Sequence, residues 1–175
     1  MTTKYDHGRI IANGFTLAEL LVVIAIIGTL LAIAALQTRT MMDRYTVEGE
    51  IKSLHSDLLQ ARARATQRNR IHFIQFAATS YTITEDTSTG PDGDGSLGAA
   101  DTQFLQRQLD PRFPLVWSGA VNTIQISAKG LITADQTGTV RLTIPIKDSG
   151  EYDCVQISEI RVVTGKWNGT DCIAK

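Results

Sequence analysis

The hydrophobic pattern of this chain begins as a block and only later becomes periodic. From Leu20 to Gln37 the sequence reads LLVVIAIIGTLLAIAALQ, with Glu19 before it and Arg39 the first charge after it. As a helix rising about 1.5 Å per residue, the uncharged span Leu20–Thr38 is roughly 28 Å long, close to the hydrocarbon thickness of a bilayer. A helix that is apolar all round is either a buried core helix or a membrane span. The remaining chain is small and mostly strand-like, too little to enclose such a rod, so a span is expected.

After the block a period appears. Val47, Ile51, Leu54, Leu58, Ala61 and Ala65 recur at alternating steps of four and three, a single helical stripe. Polar residues such as Glu48, Glu50, Lys52, Asp57, Gln60, Arg62 and Arg64 lie between them, and no Pro occurs before Pro91. The pattern predicts one helix from Phe15 to about Asn69, roughly 80 Å long. Its first half is apolar on all sides. Its second half must lay a stripe on something, and a sheet is the expected partner.

The period then shortens. Ile71–Phe76 and Ser80–Glu85 are short and β-rich, with Ala77-Ala78-Thr79 as the turn. Further strand-like runs lie at Thr123–Ser127, Thr139–Ile146, Cys154–Ser158 and Arg161–Thr164, punctuated by Gly130, Gly138, Gly150 and Gly165. The expected class is α+β: a long N-terminal helix packed on an antiparallel sheet of about six to eight strands. The expected organisation is a short leader over 1–14, a transmembrane helix over 15–38 and a soluble domain over 39–175. Within that domain, an amphipathic helix covers 39–70 and the sheet covers 71–175.

Composition narrows the chemistry. With 43% hydrophobic and 20% charged residues and a net charge of −1, the chain is neither disordered nor polytopic, and gains no global attraction for nucleic acid. His7 lies ahead of the apolar block, which leaves His55 and His72, and no acid–base–nucleophile set can be assembled around them. No enzyme activity and no cofactor are expected. Cys154 and Cys172 either close a loop in an oxidising compartment or remain two buried thiols.

One acidic segment sets out like a calcium loop. In Gly90-Pro91-Asp92-Gly93-Asp94-Gly95-Ser96-Leu97-Gly98-Ala99-Ala100-Asp101, the residues Asp92, Asp94, Ser96 and Asp101 take positions three, five, seven and twelve of an EF-hand loop. Position one is Gly90 and helical flanks are missing, so the expectation is no metal, or a weak calcium site.

The junction ahead of the block carries a family resemblance. Gly14-Phe15-Thr16-Leu17-Ala18-Glu19, followed by the uncharged helix, resembles the class III prepilin signal of type IV pilins and type II secretion pseudopilins. No small-residue cleavage site of an ordinary signal peptide follows the block. The helix end DLLQARARATQRNRIHF, and the closing CVQISEIRVVTGKWNGTDC, are similar to the GspH/FimT-like group of minor subunits. Arg64 stands where that group more often has an acidic or polar residue, and residues 86–120 carry no resemblance.

The resemblance implies cleavage by prepilin peptidase between Gly14 and Phe15, N-methylation of Phe15, and a bacterial inner-membrane precursor whose C-terminal domain lies in the periplasm. It implies that Glu19 neutralises the Phe15 ammonium of a neighbouring subunit, a reason for an otherwise costly carboxylate at the edge of a span. It favours a Cys154–Cys172 disulfide. The implied partners are other pilin or pseudopilin subunits, prepilin peptidase, the inner membrane, and a secreted substrate or DNA but no small-molecule substrate; the alternative role is a tip-located subunit that binds DNA or another ligand. Some members take part in DNA uptake, and over residues 39–70 seven basic residues face four acidic ones. Arg62, Arg64, Arg68 and Arg70 are therefore candidate phosphate contacts, against the alternative of a solvated face with ion pairs. Positive charge lies on both sides of the span, so the inside count does not orient it.

Overall fold

The computed structural model describes residues 15–88, 90, 93–144 and 150–175. The expected class is found: one N-terminal helix, α1 (Leu17–Arg68), followed by antiparallel strands. The chain divides after Arg39 into two compact units.

In the first unit residues 15–35 are exposed throughout. The 18-residue apolar window of this helix has none of itself buried within the chain, as a membrane span requires and a core helix does not. Two hydroxyls in it bond back to their own helix. Thr29 Oγ1 donates to the Ile26 carbonyl at 2.8 Å and Thr38 Oγ1 to the Ala34 carbonyl at 2.8 Å. Lipid offers no partner for a free hydroxyl, so such back-bonding keeps a threonine tolerable there.

In the second unit the stripe Val47, Ile51, Leu54, Leu58, Ala61 and Ala65 is at most 2% exposed. Burial of each large member contributes about 2 kcal/mol before the entropy of ordering. The helix stops at Asn69, which takes a φ of 53°. Asn is among the few non-glycine residues that tolerate this left-handed conformation. The Arg70 N–H then reaches back to the Ala65 carbonyl at 3.1 Å, closing a Schellman-type end.

Nine strands follow among the described residues, in two sheets where one was expected. The first sheet has β1 (His72–Ala77), β2 (Ser80–Glu85), β3 (Thr102–Gln108) and β5 (Thr123–Ile126), in the order β3-β2-β1-β5. The second has β4 (Leu115–Trp117), β6 (Gly138–Leu142), β7 (Cys154–Ile157), β8 (Val162–Trp167) and β9 (Cys172–Ala174), in the order β4-β6-β7-β8-β9. The β1–β2 hairpin pairs Ala77 with Ser80, leaving Ala78-Thr79 as the turn. The two sheets meet there: Leu115 N donates to the Ala78 carbonyl at 2.7 Å. Strands β3, β4 and β9 have no counterpart among the strand-like runs of the hydrophobic pattern. β3 is an edge strand largely exposed on both faces, so its sequence, TQFLQRQ, carries no alternation to read.

Candidate functional site

The N-terminal segment is built from its first helical turn. Thr16 is the residue just ahead of α1, and its hydroxyl accepts the Glu19 N–H at 3.2 Å while its carbonyl accepts the Leu20 N–H at 3.2 Å. That is an N-cap: one of the first backbone donors, which the helix itself cannot satisfy, is taken by a side chain. The spacing Thr16-x-x-Glu19 is the signature of a capping box, a signal present in the sequence but not read there. Only one half of the box is made. The Glu19 carboxylate has no hydrogen-bond or ion-pair partner among the described residues, so it remains available to a neighbour. Phe15 lies outside the helix and is 78% exposed. Gly14 lies outside the described residues.

The four candidate arginines do not form one surface. Arg62 donates from Nε to the Gly130 carbonyl at 2.9 Å and from Nη2 to the Ile160 carbonyl at 3.0 Å, tying the helix to two loops. The Arg64 guanidinium lies over the Phe104 ring, 4.5 Å from its centroid. Arg68 Nη1 donates to both oxygens of Glu85, at 3.3 and 3.0 Å. Arg70 Nη1 donates to the Asp86 carbonyl at 3.0 Å. Arg70 Nε also lies 3.9 Å from Glu85, so Arg68 and Arg70 share one carboxylate while Arg62 and Arg64 are held elsewhere in the chain. Glu85, only 3% exposed, is the centre of the last pair of contacts and also lies 4.0 Å from His72.

The two histidines of the described chain serve packing. His55 Nε2 lies 3.1 Å from the Val162 carbonyl. His72 is fully buried, with Nδ1 3.3 Å from the Arg70 carbonyl and its ring edge-on to Phe104. Burial is the largest influence on His72 and pushes its pKa down, against the opposing pull of the Arg70 carbonyl and Glu85.

The acidic loop is organised by its own carboxylates. Asp86, fully buried, accepts N–H bonds from Asp94 at 3.1 Å and Gly95 at 2.7 Å. Gly93, at a φ of 82°, passes so close that any Cβ there would overlap the Asp86 carboxylate. Asp101 accepts from Thr87, Ser88 and Gly98 N–H at 3.0, 3.1 and 2.7 Å. Desolvation raises the Asp101 pKa, but these three backbone bonds outweigh it and the net shift is downward. Asp94 accepts the Ser96 N–H at 2.8 Å. The candidate ligands Asp94, Ser96 and Asp101 are thus engaged separately, and Asp92 lies outside the described residues. Among the described residues no group of three or more His, Cys, Asp or Glu is arranged to hold a metal ion.

Cys154 and Cys172 are joined by a disulfide, 18 residues apart and 6.0 Å between Cα atoms. A closed loop of that size contributes about 3 kcal/mol in the chain-entropy account.

Comparison with known proteins agrees with this arrangement. A family model described as type II transport protein GspH matches residues 50–160, which is more than half of the chain. A second, the prokaryotic N-terminal methylation motif, matches residues 11–35. Searches of curated proteins and of solved structures return no match. Taken with the exposed apolar helix and the sheets that bury its second half, these matches place the chain in the type II transport protein GspH family, as a pilin- or pseudopilin-type subunit carrying the N-terminal methylation motif.

Proposed function

We propose that this chain is a minor pseudopilin, a non-enzymatic structural subunit of a type II secretion pseudopilus. The observation that carries the choice over a type IV pilus is the GspH match across the helix–sheet domain. In this reading residues 1–14 are a leader, 15–38 hold the precursor in the bacterial inner membrane, and 39–175 form the periplasmic domain. Prepilin peptidase cuts between Gly14 and Phe15, and Phe15 is then N-methylated. The Glu19 carboxylate, without a partner among the described residues, meets the Phe15 ammonium of a neighbouring subunit as the helix leaves the membrane. A desolvated carboxylate and ammonium stabilise one another far more than either is stabilised alone in lipid.

The second reading, a tip subunit that binds DNA or another ligand, finds less support. Arg62, Arg68 and Arg70 are occupied by carbonyls and Glu85, and Arg64 by an aromatic ring. A phosphate contact would have to displace those partners.

Two measurements on cells test the proposal. Mass spectrometry of the mature protein is expected to find N-methyl-Phe15 as the first residue. A start at Met1, or one near Gln37, overturns the processing. Deletion of the gene is expected to stop type II export while surface pili persist. Loss of pili with normal export overturns the assignment to the secretion system.

A further inference from the structure

The Cys154–Cys172 disulfide does not join neighbouring strands. Its cysteines lie on β7 and β9, and β8 runs between them. Strands two apart in a flat sheet are separated by about 9.5 Å. Here the cysteine Cα atoms are 6.0 Å apart, so the sheet folds sharply where the bond crosses. The crossing point is Gly165, which pairs with Cys154 on one side and Ala174 on the other. A Cβ at Gly165 would lie 2.9 Å from the Cys172 sulfur and would also strike the backbone of Ile173. The bond therefore occupies the space that a side chain at 165 would fill.

The same face supplies walls. Residues directly opposite in an antiparallel pair project to the same side, as do residues two apart on one strand. Arg141 is opposite Cys154, and Trp167 is opposite Cys172 and two residues beyond Gly165. The Arg141 guanidinium lies over the Trp167 ring, 4.9 Å from its centroid, so the two side chains, one from β6 and one from β8, meet across Cys154 of β7. Trp167 is held in turn by its own backbone N–H, which donates to Asp153 at 2.6 Å. The outcome is burial on what is otherwise the outer face of a sheet: Cys154 is 0% and Cys172 6% exposed.

We infer that the stacked pair Arg141–Trp167 is a lid that closes the Cys154–Cys172 disulfide against thiols, and that Gly165 is the gap in which the bond sits. Attack by an external thiolate on the Cys154 sulfur, from the β6 side, forms a new S–S bond and expels Cys172 as thiolate. A second thiolate then releases Cys154 and leaves the reagent oxidised. The first step needs an in-line approach to sulfur, which the indole and guanidinium occupy. The same enclosure acts in the other direction. A disulfide oxidant, which takes up the two electrons and leaves as a dithiol, must reach these cysteines before β9 docks and the lid shuts, so oxidation precedes completion of the fold.

Thiol exchange on the full chain in detergent tests this, with dithiothreitol as probe and alkylation plus mass mapping as readout. The native disulfide is expected to be reduced at least a hundredfold more slowly than the same bond in denaturant. Trp167→Ala is expected to raise the native rate tenfold or more. Arg141→Met, a change at a partly exposed position, is expected to raise it several-fold, and Arg141→Lys to restore most of the protection by keeping a cation over the ring. In denaturant all four chains should react alike. Equal native and denatured rates in the unsubstituted chain overturn the enclosure. Unchanged native rates in both Trp167→Ala and Arg141→Met overturn the lid.

Discussion

The phenol of Tyr81 donates a 2.6 Å hydrogen bond to the carboxylate of Asp57, joining β2 to the helix inside the core. Arg107 on β3 completes the group, with Nε and Nη2 each 2.9 Å from the same carboxylate oxygen. Burial, followed by the hydrogen bond to Asp57, pushes the Tyr81 pKa well up, so the phenol stays a donor at every physiological pH. Tyr81→Phe keeps the ring and removes that donor. It is expected to cost about 1.5–3 kcal/mol, the range for a hydrogen bond to a charged group. Urea unfolding of the full chain in detergent reads this; a midpoint equal to the unsubstituted chain would remove the bond from the energetics.

His72 sets a pH dependence. Its folded pKa lies below the ordinary 6.5, chiefly because burial disfavours the cation, and Arg64 and Arg68 oppose it further. Glu85 and the Arg70 carbonyl pull the other way without prevailing. As pH falls, the unfolded chain takes the proton first. The contribution to stability is therefore complete above about pH 6.5 and is lost as pH drops toward the folded value. His72→Asn, which keeps a polar group facing the Arg70 carbonyl, is expected to cost about 1–2 kcal/mol at pH 7.5. Its unfolding midpoint should decline less than that of the unsubstituted chain between pH 7 and 5. Parallel declines would show that His72 does not contribute.

Glu19→Ala is expected to leave insertion intact, since a charge is removed from the edge of the span. The N-cap from Thr16 uses the backbone N–H of residue 19, so the helix start survives the change. Incorporation into fibres should fall at least tenfold, measured as the sheared or cross-linked fraction against the membrane-bound pool. Normal incorporation would remove the proposed pairing with Phe15.

Calcium is expected to leave the melting temperature of the protein within about 1 °C. The carboxylates of Asp86 and Asp101 are committed to five backbone N–H groups of their own loop, and a cation must compete with all of them. The segment still concentrates acid, with six acidic residues against Arg107 over 80–110, and such screened charge attracts ions without fixing one. Saturable heat on titration, lost in Asp94→Ala, would reverse this view. Asp101→Ala should instead free the amides of Thr87, Ser88 and Gly98, seen as faster hydrogen exchange at those three positions.

The helix and its two characters were legible in the amino-acid order. The block at 20–38 needs only length and absence of charge, and the stripe from Val47 to Ala65 needs only the period of the helix itself. The first turn is legible as well, since Thr16 and Glu19 stand three apart, the spacing of a capping box. In the sequence Asp57 belongs to the polar positions between stripe residues, yet in the structure it is buried. Its neighbour Leu58 is in the core, and Asp57 turns inward too because Tyr81 and Arg107 wait there.

What the sequence determined by itself was therefore local: a membrane-length helix, an amphipathic continuation, and a Gly14-Phe15 junction followed by the carboxylate of Glu19. Tertiary structure decided the rest. It drew the exposed strand β3 and the short strand β4 into two sheets, and it tied each of four clustered arginines to partners within the chain, Arg68 and Arg70 sharing Glu85. Arg62 finds its carbonyls 68 and 98 residues away. Periodicity reports which face of an element is apolar, because that depends on neighbours a few residues apart. Which acceptor a long side chain reaches, and which strands pair at a sheet edge, depends on segments that meet only once the core has closed.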